Sequence, residues 1–337
     1  MKSQSGPVRR TGSFSGKSQI ANRKPQIKIG TRASKLALTQ TQWVADGLMA
    51  AHPGLTCELL HITPTGDRQT AQPLPQIGGK GLFTKELEEA LLRGEIDLAV
   101  HSLKDLPTQL PEGLVVGAIP RRAPANDALI ISDLRLQIAD CEDGRSRIFA
   151  LPQGARVGTS SPRRGAQLRQ ARPDLTCLPI RGNLDTRLRK LAEGQFEAIV
   201  LAMAGLVRLG LIEGSGRIAG HGELVVEALS FELMLPAPGQ GALGIETRAG
   251  DARAAEIVSA LHDAATATAV TAERAVLDAL GGGCTMPLGA YAELAGDVLT
   301  LRAILLSPDG SAAARSDRSG PASDPAALAR AVADELR

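Results

Sequence analysis

The sequence predicts an α/β protein of three parts: two similar lobes with mixed sheets, then a smaller α+β domain. Three observations carry this. An apolar strand runs into a Gly-Thr turn and a helix start twice, at Ile29-Gly-Thr31 and Val157-Gly-Thr159. A helix closed by glycine and followed by a short β-rich run also occurs twice, at Gly94 and Gly194, which is the pattern of a βαβ unit. The last stretch of chain alternates like small antiparallel strands before a helix from Pro325. The two pairs of motifs lie 128 and 100 residues apart, so the lobes share a plan and not a strict repeat.

Taken in order, Ile27–Ile29 reads as a strand, and Gly30-Thr-Arg-Ala-Ser34 leads into a helix reaching about Met49. A second helix is expected over Thr84–Arg93, with a strand over Glu95–Val100. Pro120–Asp127 reads as a hinge, while 133–154 and 210–235, rich in Gly and charge, read as surface excursions. In the second lobe Ser161 is a natural N-cap with Pro162 in the first turn. Asn183 caps a helix over Leu184–Glu193, and Gln195–Val200 follows as a strand. Past Leu243–Thr247, another strand, a single Ala-rich helical stretch is expected over Ala252–Leu280, ended by Gly281-Gly-Gly283. The boundaries implied are a disordered basic tail at 1–26, a first domain at 27–121 plus 242–262, a second at 126–235 and a third at 264–337.

Composition narrows the function. With 337 residues and 43% hydrophobic content the chain can bury several cores. Its net charge of +2 conceals a division. Residues 1–28 hold seven of the 38 Lys and Arg and no acid, so the remainder carries 31 bases against all 36 acids, a balance of −5. An acidic body with only 2% aromatics argues against a nucleic-acid binder. Cys57, Cys141, Cys177 and Cys284 are scattered without C-x-x-C spacing, so neither a disulfide framework nor a metal site is expected. There is no apolar run of membrane-spanning length. The basic, Ser-rich start suits a disordered tail of a cytoplasmic protein, with an organelle transit peptide as the alternative.

Arginines recur beside backbone that binds anions. Ser161-Pro-Arg-Arg164 places two planar forks at a helix start whose free N–H groups already favour negative charge. Arg181 and Arg187 flank the Asn183 cap, Arg32 follows the first strand, and Arg208 lies beyond a further strand. Ligands of such architectures sit in the crevice at the carboxyl ends of strands, where Lys104 and Asp105 also belong. The ligand should be small and carry several negative charges. Gly239-Gln-Gly-Ala-Leu-Gly244 matches a dinucleotide fingerprint but precedes a strand, and Gly78-Gly-Lys-Gly81 lacks the rest of a P-loop. His101 reads as a hydrogen-bonded structural residue.

Together the motifs Gly-Thr-Arg-Ala-Ser-Lys-Leu-Ala at 30–37, Gly-Gly-Lys-Gly-Leu-Phe-Thr-Lys-Glu-Leu-Glu at 78–88, His-Ser-Leu-Lys-Asp-Leu-Pro at 101–107, Gly-Thr-Ser-Ser-Pro-Arg-Arg at 158–164, Arg-Gly-Asn-Leu-Asp-Thr-Arg-Leu at 181–188 and Pro-Gly-Gln-Gly-Ala at 238–242 resemble the porphobilinogen deaminase (hydroxymethylbilane synthase) family. Gly-Gly-Gly-Cys284 with Pro287 and Gly289 completes the set. The resemblance implies two lobes like those of type-II periplasmic binding proteins and a third domain carrying a cysteine. It implies a dipyrromethane cofactor attached by a thioether to Cys284. Such an enzyme adds four porphobilinogens head to tail with loss of ammonia and releases hydroxymethylbilane by hydrolysis for porphyrin and heme synthesis.

Carried onto this sequence, the resemblance makes Asp105 the catalytic carboxylate, with Lys104 beside it. Both would also touch the cofactor, together with Thr159, Ser160, Ser161, Arg163 and Arg164. Arg181, Gly182 and Arg187 would complete that set. Incoming substrate would meet Arg32, Ser34, Phe83, Arg208 and Gln240, and again Arg181 and Arg187. The chemistry agrees: each substrate brings an acetate and a propionate, and loss of ammonia leaves a cationic azafulvene that a carboxylate stabilises. The expected protein is a monomeric transferase without metal, binding neither nucleic acid nor membrane, whose product passes to uroporphyrinogen-III synthase. This sequence departs from the family in longer 133–154 and 210–235 connections, an early C-terminal stop and Pro162 in place of an aliphatic residue. The alternative, a non-catalytic two-lobed anion-binding protein, leaves Cys284 unexplained.

Overall fold

Apolar runs that read as strands pair into three sheets. The computed structural model describes residues 25–62, 84–132, 146–283 and 285–337. In the first lobe β1 (Gln26–Thr31) lies between β2 (Thr56–His61) and β3 (Leu98–Ser102), parallel to both. Helix α1 (Lys35–Ala51) links β1 to β2, and α2 (Lys85–Leu92) precedes β3. The sheet continues through β11 (Leu243–Arg248), antiparallel to both β3 and β4 (Leu114–Ala118), giving the order β2-β1-β3-β11-β4.

The second lobe repeats this plan. Strand β6 (Arg156–Gly158) lies between β7 (Thr176–Leu178) and β8 (Ala198–Ala202), parallel to both. Helices α3 (Pro162–Ala171) and α4 (Leu184–Ala192) flank them, and α5 (Met203–Arg208) follows β8. The strand that opens this lobe in the chain, β5 (Asp127–Ile131), lies antiparallel to β8 and takes the place that β11 has in lobe one. Ala128 and Ile130 enter one core layer and Leu129 and Ile131 the opposite one, so β5 is buried on both faces and reads as an uninterrupted apolar run.

Three corrections follow. The 210–235 segment is not a surface excursion. It contains β9 (Arg217–Ile218) and β10 (His221–Ala228), which extend the second sheet past β5. Leu224, Leu229 and Met234 are fully buried, and their partner strand lies about a hundred residues upstream, beyond the reach of local pattern reading. The 252–280 stretch is two helices, α6 (Ala252–Ser259) and α7 (Ala264–Ala279). Asp263 accepts from the Thr266 amide at 2.8 Å and starts the second helix afresh. Observed strands β3 and β8 also begin later than Glu95 and Gln195, because Gly94 and Gly194 take left-handed φ and turn the chain first. The basic tail to residue 24, residues 63–83 and 133–145, and Cys284 lie outside the described residues.

The third domain packs α7 and α8 (Pro325–Leu336) on one face of the antiparallel sheet β12 (Leu288–Ala295), β13 (Val298–Leu306) and β14 (Ala313–Pro321). Two antiparallel connections, around 119–126 and 229–242, join the lobes. They meet where the Ala123 amide donates to Gly241 O at 3.0 Å. A Cβ on Gly241 would stand 2.4 Å from Ala123 O, and its φ is +87°, so only glycine permits this crossing.

Candidate active site

In each lobe the strand second from the sheet edge, β1 or β6, leads into a capped helix. In lobe one the Ser34 hydroxyl accepts from the Ala37 amide at 3.3 Å, with Arg32 half-buried two residues earlier. In lobe two the Ser161 hydroxyl accepts from the Arg164 amide at 3.4 Å, and Pro162 opens the helix as its sequence implies. Ser160 turns aside, exchanging hydrogen bonds through its hydroxyl with the carbonyl (2.8 Å) and amide (3.0 Å) of Ile180. Thr159 is buried behind it, its hydroxyl accepting from the Ser161 amide.

A cavity of about 170 Å³ opens where the two lobes and the third domain meet. Lys104, Asp105, Ser161, Arg163, Arg164 and Gln240 line it from the lobes, and Gly283, Met286 and Leu288 from the third domain. Gly283 immediately precedes Cys284. The structure thus brings together the Lys104-Asp105 turn, the α3 start, the Gln240 connection and the glycine loop, which lie far apart in sequence.

Behind the cavity wall lies a charged floor. Arg163 Nη1 donates to Asp127 Oδ2 at 2.6 Å and to Leu235 O at 2.7 Å. Arg164 reaches Asp127 Oδ1 through Nε (2.9 Å) and Nη2 (2.7 Å), and Val200 O through Nη1 at 3.0 Å. Gln240 Nε2 donates to the same Oδ1 at 2.9 Å, while its Oε1 accepts from Lys104 Nζ at 3.3 Å. Burial opposes ionisation of Asp127, but the two adjacent guanidiniums outweigh it and hold the carboxyl well below its ordinary range. Both arginines therefore meet the cavity with part of each fork already committed. Arg163 Nε remains buried with no partner among the described residues.

The other expected residues surround this floor. Lys104 and Asp105 stand on a 3₁₀ turn, Leu103–Asp105, directly after β3; Asp105 is exposed to the cavity. Burial pushes the Lys104 ammonium down to about 8, against the attraction of Asp105. Arg187 is held by a hydrogen bond from Nε to Gly182 O at 2.9 Å, and Gly182 adopts φ +112°, with Thr186 atoms where a Cβ would go. Arg181 lies half-buried on the same loop. Arg208 closes α5 and donates to Gly241 O at 2.7 Å; burial draws its pKa down to about 10. Phe83 and Cys284 lie outside the described residues. His101 is structural, buried with Nε2 2.9 Å from Glu246 Oε2.

Sequence reading missed Asp127, Arg122 and Glu273. Buried Glu273 on α7 takes Arg122 Nη1 at 2.8 Å, the Gly239 amide at 2.7 Å and the Ala292 amide at 2.9 Å, tying the third domain to both inter-lobe connections. An acid opening an apolar strand and an acid inside an Ala-rich helix were the available signals. Each points to burial without naming the arginine that answers it.

Around the cavity Lys104, Arg163 and Arg164 face Asp105 and Asp127, a surplus of one positive charge. That surplus, the orphaned Arg163 Nε and the glycine loop at the rim suit a small anionic group carried from the third domain.

Comparison with known proteins agrees with this chemistry. The family model described as "Porphobilinogen deaminase, dipyromethane cofactor binding domain" matches residues 27–256, and "Porphobilinogen deaminase, C-terminal domain" matches 267–337. A porphobilinogen deaminase of Roseiflexus castenholzii is 51% identical over 92% of this chain and 95% of its own. One from Syntrophotalea carbinolica is 49% identical over 92% of both. Among solved structures, a probable amino-acid ABC transporter extracellular-binding protein of Bacillus subtilis aligns at TM-score 0.38 and 12% identity, covering 70% of this chain and 90% of that one.

Proposed function

This chain belongs to the porphobilinogen deaminase family, and from that premise we propose that it is a transferase condensing four porphobilinogens head to tail on a covalently held dipyrromethane, with loss of ammonia and hydrolytic release of hydroxymethylbilane. The observation that carries the reading is the cationic cavity bounded by Asp105 on one side and Gly283, the neighbour of Cys284, on the other.

When bound, dipyrromethane supplies the free pyrrole carbon to which each new unit joins. Lys104, Arg163 and Arg164 would hold its acetate and propionate groups, with Ser161, Thr159 and Ser160 shaping the adjacent turn. Arg181, Gly182 and Arg187 border the same lobe, and Arg32, Ser34, Arg208 and Gln240 would receive substrate. Asp105 lines the cavity with a carboxylate that no side chain among the described residues takes up by hydrogen bond or ion pair, as is needed to offset pyrrolic cation and to move protons. Asp127 cannot take this part, because its oxygens are occupied by two guanidiniums and the Gln240 amide. Family membership assigns the thioether sulfur to Cys284, which follows Gly281–Gly283, and burial pushes the thiols of Cys57 and Cys177 up, away from the thiolate form that the link needs. The protein is read as a cytoplasmic monomer whose product passes to uroporphyrinogen-III synthase.

Intact mass tests the reading. The purified chain should exceed its sequence mass by two porphobilinogen units less two ammonias, and the excess should lie on the tryptic peptide of Cys284. Cys284→Ser should lose the excess mass and the colour given by acidic aldehyde reagent. Active wild-type protein with an unmodified Cys284 contradicts the mechanism.

A further inference from the structure

Helix α7 meets the Asp105 turn and the glycine loop at once. Near its middle, Val270 packs with Leu103 and Leu106, the buried residues that bracket Lys104 and Asp105. One turn later Arg274 closes over the same segment: Nη1 donates to Leu103 O at 3.0 Å and Leu106 O at 2.8 Å, and Nη2 to Pro107 O at 2.6 Å. Another turn on, Asp278 accepts from Thr108 Oγ1 at 2.9 Å and Gln109 Nε2 at 3.3 Å. The helix then ends at Ala279 and leads straight into Gly281–Gly283.

The three carbonyls that Arg274 takes up have no place in a strand ladder, because the chain leaves β3 at Ser102 and turns. On its far side the turn is tied to the Gly239–Ala242 connection through the Leu103 amide, which donates to Ala242 O at 3.0 Å. A single planar fork spans the near side, and an ammonium cannot reproduce that geometry. Arg274 makes no contact with the cavity and is not among the residues that line it.

We propose that Arg274 is the positioning residue of this enzyme, fixing the Lys104-Asp105 turn to the helix that carries the cofactor loop and so setting the reach from the carboxylate to the growing chain. This rests on the assignment of Asp105 made above. A displacement of the turn by about 1 Å costs on the order of 10²-fold in rate.

A double-mutant cycle on cofactor-loaded protein decides it, with Asp105→Asn, Arg274→Gln and the pair. Arg274→Gln should lower kcat by ~10–100-fold at little change in KM, with cofactor mass retained and a lowered thermal midpoint that still leaves the protein folded at the assay temperature. Combined with Asp105→Asn it should add almost nothing, since a displaced carboxylate and a missing one are the same defect. Multiplying losses, or wild-type turnover in Arg274→Gln, overturn the inference and leave Asp105 standing. Full turnover in Asp105→Asn removes the assignment of Asp105 and the inference with it. Should Arg274→Gln fail to fold, Arg274→Lys enters the same cycle: it keeps the charge and stem but cannot serve three carbonyls together. Full rescue by lysine also counts against the proposal.

Discussion

The two lobes share a strand order around their central strands but floor their clefts with opposite chemistry. Lobe one backs its strand-to-helix turn with neutral groups: buried Thr41 Oγ1 donates to Thr31 Oγ1 at 2.8 Å, and Gln40 exchanges hydrogen bonds with Ser102. Lobe two puts two arginines in the corresponding helix start and a buried aspartate beneath them. The capped turn is therefore scaffold and the floor is what specialises it. An arginine at a helix start need not be an open anion site, since part of its valence can be spent on a buried acid that aims it.

Asp127→Asn breaks the comparison most severely. It leaves two buried guanidiniums without their counter-charge, a defect worth about 3–5 kcal/mol, and denaturant unfolding should register it. Loss of less than about 1 kcal/mol would mean that water answers the arginines as well as Asp127 does. Arg187→Lys tests whether geometry or charge matters at the lobe-two rim. The ammonium cannot make a bidentate carboxylate pair, so kcat/KM should fall about tenfold or more, equivalent to ~1.4 kcal/mol.

Lys104 gives the comparison a pH dependence. In the folded protein it loses its proton near 8, whereas an unfolded chain keeps it to about 10.4. The folded state binds fewer protons between those values, so Lys104's contribution to stability rises with pH through that window. Its hold on ligand carboxylates declines over the same interval. Turnover should fall as pH passes 8, because the cofactor carboxylates lose that anchor, and Lys104→Gln should lack that limb; persistence of the limb would place the titration elsewhere. The smallest effect belongs to lobe one. Thr41→Val should cost about 1 kcal/mol, the ordinary value of one buried neutral hydrogen bond, with turnover unchanged.

The parts legible in sequence were those with local signatures. Ser34, Ser161 and Asn183 announced their helices because a cap acts within three residues. The alternation of β12 to β14 and the Pro325 start were equally local. Strand β10 was not, because its apolar Leu-Val-Val core sits between Gly222 and charged neighbours and gains its meaning only from β5. The break between α6 and α7 was hidden by alanine-rich sequence on both sides, with Asp263 looking like one more surface acid. At the site, the residues facing the cavity could be named, but the bond from Arg163 and Arg164 to Asp127 spans 36 and 37 residues and no spacing rule predicts it.

The return of β11 to the first sheet bears on how the chain is made. β11 lies between β3 and β4, yet it is encoded after the whole second lobe. During synthesis β3 and β4 emerge without the strand that joins them, leaving open edges of the kind that pair wrongly. The second sheet receives its last strand with β10, before β11 exists, so the later-numbered lobe is the first able to close. An N-terminal fragment ending at Ala118 should consequently be aggregation-prone, whereas supplying residues 243–259 in trans gives it the missing centre. The lobe encoded first should thus be the last to mature, and co-translational proteolysis should find it protected only after residue 248 has emerged.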